Sequence, residues 1–170
     1  MFGFTSRRQK KLDKIADAIR IALHRQINKA YDVMEESGEL DQYHERINGP
    51  FAGGYLYSFL TNYFSNYITS RKDVLQRSKD ILNEILSGED AELVKVRLHE
   101  RLQAEDMSWD HAKDISWEHD NEVYEMEFNL GVVSAEEDVR DFISDSRNMP
   151  TKLTDFLLNG KLTSGSGKTG

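Results

Sequence analysis

Between Ile47 and Ser70 the chain reads INGPFAGGYLYSFLTNYFSNYITS, without one Asp, Glu, Lys or Arg. Elsewhere charge is abundant, at 31% of all residues, and both flanks of the run are charged: Glu45 and Arg46 before it, Arg71, Lys72 and Asp73 after it. Charged side chains are seldom fully buried, so a long run that avoids them marks where a chain passes through its own core. The run predicts one central helix over about residues 51–68, which other helices must cover. Its length would suffice for a membrane span, but Asn62, Asn66 and the nearby serines and tyrosines make it too polar for hydrocarbon. No transmembrane span is expected.

The remainder supplies the cover. The only prolines are Pro50 and Pro150, and glycines stand mostly at punctuation points, which favours helices throughout. The fold class expected is all-α: a single-domain bundle of six or seven helices over residues 1–159, with 160–170 as a flexible tail of Gly, Ser, Thr and Lys. Thr5 or Ser6 caps a first helix to about Glu36, whose apolar arc runs through Leu12, Ile15, Ile19, Leu23, Ile27 and Met34, ended by Gly38. Glu39–Asn48 predicts a short helix stopped by Asn48-Gly49-Pro50, and Pro50 suits the first turn of the next. Ser70 or Thr69 caps a helix with Asp73 as its capping-box acid, and a further helix spans about 90–105. Ser134-Ala-Glu-Glu137 reads as a capping box opening a short helix, and a last one spans Lys152–Asn159.

Residues 123–132 carry two signals. Tyr124, Met126, Phe128, Leu130 and Val132 alternate with polar residues or glycine, the period of a strand. Ala112, Ile115, His119, Val123, Met126 and Leu130 also form a helical stripe, on a helix starting near Ser108. With no second convincing strand to pair with, helix is the preferred reading, and a lone strand at 123–132 is the alternative.

Bulk composition removes several function classes. There is no cysteine, which excludes disulfides, thiolate-bound zinc and cysteine nucleophiles, and fits a cytoplasmic setting. The N-terminus, MFGFTSRRQKK, has bases but no following apolar run, so no secretory signal is expected. The tail GSGKTG resembles part of a phosphate loop, but Leu162 stands where GxxxxGK[ST] needs glycine, and no strand precedes it. The net charge of −8 conceals an asymmetry. Residues 1–30 hold eight bases against two acids, whereas 89–146 hold eighteen acids against five bases. The basic face of the first helix, with Phe2 and Phe4, suits a polyanion or an anionic membrane surface, but the acidic half opposes both. A protein partner or self-association is favoured over nucleic acid.

Three sets of candidate residues emerge. Trp117, Tyr124 and Phe128 align at i, i+7 and i+11 on a helix that already has another apolar face; one of the two faces must be covered by this chain or by a partner. This set is the preferred partner surface, and the leading function is that of a non-enzymatic protein–protein interaction or regulatory protein. The central helix has a narrow arc of small and polar residues: Gly54, Ser58, Thr61, Asn62 and Ser65. Close helix packing is the preferred meaning, and a small-ligand pocket using Tyr55, Ser58, Asn62 and Asn66 is the alternative. His111, Asp114 and Glu118 sit at helical spacing and form a weak candidate for a metal or acid–base site. No residue pattern demands a cofactor. His119 reads as a core histidine.

Overall fold

The computed structural model describes residues 6–86, 88, 91–106 and 122–161. Among these the chain is all-α, with seven helices and no strand: α1 (Arg7–Ser37), α2 (Leu40–Ile47), α3 (Pro50–Ser65), α4 (Arg71–Ile85), α5 (Glu92–Asp106), α6 (Glu122–Ser144) and α7 (Lys152–Asn159).

Local chemistry sets most boundaries. The Ser6 hydroxyl accepts from Gln9 N and starts α1, which ends at Gly38 in the left-handed conformation (φ 76°) that a side chain would oppose. Pro50 occupies the first turn of α3, where its missing N–H costs no hydrogen bond. Ser70 caps α4 through Asp73 N, and Gly160, also left-handed, closes α7.

Helix α3 is the buried, charge-free centre. Phe51, Tyr55, Phe59, Tyr63 and Phe64 are all buried. Rings four residues apart stack along the helix, with centroids 6.4 Å apart for Phe51–Tyr55, 5.6 Å for Tyr55–Phe59 and 6.4 Å for Phe59–Tyr63. Fully burying a large apolar side chain contributes roughly 1.5–3 kcal/mol, so this one helix supplies a large share of the driving force for folding. Helices α1, α4, α5, α6 and α7 pack around it.

The closest neighbour is α6, which lies alongside α3 in the same direction: Gly53 meets Phe128, Ser58 meets Val132 and Tyr63 meets Phe142. A methyl group at Gly54 would stand 2.8 Å from the Phe128 carbonyl carbon and collide with its oxygen. One at Gly131 would stand 2.7 Å from Tyr55 N and collide with the Phe51 carbonyl oxygen. The backbones touch because each helix presents a glycine to the other. The small arc of α3 is therefore a packing seam over Gly54 and Ser58.

One sequence expectation holds here and another changes. The alternating stretch 123–132 is helical, because a lone strand would have left its backbone groups without partners. The helix also continues through Ser134 rather than starting there. The Ser134 hydroxyl donates to Leu130 O, 2.8 Å away, inside an unbroken helix. Packing of both halves of α6 on α3 outweighs the local capping signal.

Candidate interaction surface

Helix α6 has an inner and an outer face, and both carry apolar residues. The inner face comprises Phe128, Gly131, Ser134, Ala135, Val139 and Phe142, all buried. The outer face carries Met126, Leu130 and Val133, which are 58%, 49% and 52% exposed, with Val123 at the N-terminal end of the same stripe. Spacings of four and three residues place the three side chains along one line of the helix. Acids border this line: Glu122, Glu125, Glu136 and Glu137 are exposed and Glu127 half-buried.

The inner face is fastened by aromatic and polar contacts. Phe128 is 2% exposed, and the Arg101 guanidinium carbon lies 3.9 Å from its ring centroid and 5.4 Å from that of Tyr57. Burial lowers the Arg101 pKa, and the nearby Glu125 carboxylate opposes that shift. Tyr124 is half-buried, stacks on Phe128 at 6.4 Å and has Arg97 5.9 Å from its centroid.

Farther along α6, Asp138 joins a buried polar network. Its carboxylate accepts from the Tyr55 hydroxyl at 2.6 Å and from Lys152 N at 3.1 Å. The Gln26 side chain donates from Nε2 to the Tyr55 hydroxyl at 3.1 Å and accepts from Leu153 N at 3.1 Å. Thr154 completes the set by donating to Gln26 O at 3.1 Å. Asp138 and Gln26 thus satisfy two of the N–H groups that the first turn of α7 cannot bond internally. Burial raises the Asp138 carboxyl above the usual carboxylate range, against the opposing pull of the Tyr55 hydroxyl and the Lys152 amide. Burial, then the Asp138 charge, pushes the Tyr55 phenol well above its ordinary value, so its hydroxyl stays a donor. The arrangement is fastened on all sides by protein groups and is structural chemistry.

The structure distributes the sequence-derived candidates as follows. Of the aromatic set, Phe128 is inside the fold and Tyr124 half inside; the other apolar line of the same helix is the one that faces out. Trp117, with Ala112, Ile115, His119 and the metal candidates His111, Asp114 and Glu118, lies outside the described residues. Among the described residues no group of three or more His, Asp or Glu converges as a metal site. Of the ligand-pocket set, Tyr55 is held in the network above. Ser58 donates to Val132 O at 3.1 Å and accepts from Asn62 Nδ2 at 2.8 Å. Asn62 and Asn66 instead border an open groove of about 390 Å³ with Glu136, Val139 and Arg140.

Residues the sequence reading passed over include Gln26, Asp138, Arg97 and Arg101. Gln26 and Asp138 left one usable signal, each being a lone polar residue flush with an apolar arc. Among the described residues no helix is long and apolar enough to cross a membrane. Compared with known proteins, the chain matches no family model, no curated protein and no solved structure.

Proposed function

We propose that this chain is a non-enzymatic interaction protein whose outer α6 face, centred on Met126, Leu130 and Val133, docks a partner helix. The carrying observation is that these three large side chains stand in solvent on a helix whose opposite side is in backbone contact with the core. An aligned apolar line with a polar rim is what an amphipathic helix uses as its seat. A cytoplasmic setting accords with the lack of cysteine. The test is a fluorescein-labelled amphipathic Leu/Lys helical peptide titrated against the protein by anisotropy. Binding that is lost in Met126→Asp and Leu130→Asp, with an unchanged melting temperature, supports the reading. No binding by the wild type at any salt concentration removes it.

A further inference from the structure

We infer that the outer α6 face seats the basic outer face of α1 from a second copy of this chain, joining copies head to tail. The inference rests on the reading that this face is a docking surface, and goes on to name its occupant.

Charge decides between the ways in which two copies can meet. Glu122, Glu125, Glu127, Glu136, Glu137 and Asp141 lie outside the packed face of α6, and Arg140 is the one base on that helix. Bringing two α6 faces together would set these acids against each other, so pairing of like faces is opposed by repulsion. The same molecule carries the complement. Between Arg7 and Lys29, α1 has eight bases against Asp13 and Asp17. Arg20 is engaged with Asp17 and Glu84. Arg7, Lys14, Arg25 and Lys29 remain exposed along one outer line. In the middle of that line stands Ile21, 61% exposed.

The dimensions agree. Met126 to Val133 covers roughly 10 Å of helix, and Lys14 to Lys29 roughly 22 Å. Ile21 can therefore lie over the apolar line while lysines and arginines reach past both of its ends toward the flanking acids. Because the two faces are different patches, each copy that joins leaves one donor and one acceptor face open. The association is heterologous, forming a chain or ring rather than a closed pair of like faces. Its small apolar area places it in the weak, transient class, with a strong dependence on salt.

Sedimentation velocity on the full chain tests this. The wild type is expected to show a sedimentation coefficient that rises with concentration from micromolar to millimolar at low salt, with at least about tenfold weaker association at about 0.5 M salt. Lys14→Glu/Arg25→Glu/Lys29→Glu and Glu125→Lys/Glu136→Lys should each remain monomeric alone, and should associate again when mixed. A wild type that stays monomeric throughout overturns the proposal, as does association that survives both charge reversals. A lower melting temperature for Met126→Asp in dilute, monomeric protein also overturns it, because this chain would then cover the face itself. The labelled peptide separates the two levels. Monomeric protein that still binds it sensitively to Met126→Asp keeps the docking surface and discards the second copy as occupant; failure of both discards both.

Discussion

Phe128 and Leu130 stand two residues apart on α6 and are equally suited to a core, yet Phe128 lies under Arg101 at 2% exposure while Leu130 is 49% exposed. Hydrophobicity does not separate them. Their neighbours do: the face with Phe128 also has Gly131, whose lack of a side chain lets the α3 backbone come into contact, and the face with Leu130 has Glu122, Glu136 and Glu137. A helix with two apolar lines goes in along the one that has small residues, because that side brings backbone and side chains of its neighbour within van der Waals range. The other line is left to solvent.

The comparison breaks most directly at the glycines. Gly131→Leu forces a side chain into the Phe51 carbonyl and is expected to cost more than about 4 kcal/mol, abolishing the cooperative thermal transition seen by circular dichroism. A variant that melts like the wild type would show that α6 does not rest on α3 as described. Next in size is Phe128→Ala, expected to cost about 3–5 kcal/mol in urea unfolding, from the lost burial and the cavity beneath Arg101. Asp138→Ala strands the Tyr55 hydroxyl and the Lys152 amide and should cost about 1–3 kcal/mol.

Asp138→Asn keeps an acceptor in place and sharpens the same point through pH. Because burial raises the carboxyl pKa in the folded state, the folded chain holds this proton more tightly than the unfolded one. That contribution is fully present below the ordinary value of 3.8 and is lost as pH rises through the higher folded pKa. The wild type should therefore gain stability relative to Asp138→Asn as pH falls through that window, measured as the difference between their urea midpoints. A difference that does not change with pH would show that the carboxyl titrates normally. Smallest is Leu130→Ser, expected to move stability by less than about 0.5 kcal/mol, two residues from a position worth several times more. Equal losses at 128 and 130 would erase the distinction between the faces.

How much of this could be read beforehand follows from the range of each interaction. Ser6, Gly38, Pro50, Ser70 and Gly160 act within a few residues of themselves, and the helix ends they mark were legible. The burial of α3 was legible too, since avoidance of charge over a long run has few other causes. Its seam was legible in outline, through Gly54 and Ser58. The inner side of α6 was not, because Trp117, Tyr124 and Phe128 on one line and Val123, Met126 and Leu130 on another are equal in hydrophobicity. Ser134-Ala-Glu-Glu137 misled for the opposite reason: a short-range cap is worth about 1 kcal/mol, less than the packing that carries the helix through it. Asp138 and Gln26 gain their meaning from Tyr55 of α3 and the first turn of α7, so a window of neighbouring residues shows them only as lone polar residues on an apolar arc.

Helix α7 is clasped at both ends by residues made long before it. Gln26 takes the amide of Leu153, and Arg46 donates to the carbonyls of Leu157 and Leu158 at 2.9 and 2.7 Å. Synthesis runs from the N-terminus, so α1, α2 and α3 leave the ribosome with these polar groups still lacking their counterparts. Contacts between residues more than a hundred positions apart also carry a high loop-closure entropy. Docking of α7 thus has to wait until its own eight residues have been made, after α1, α2, α3 and α6. A nascent chain stalled before Lys152 could still bring Tyr55 of α3 to Asp138 of α6, but Asp138 and Gln26 would lack the α7 amides that complete the network.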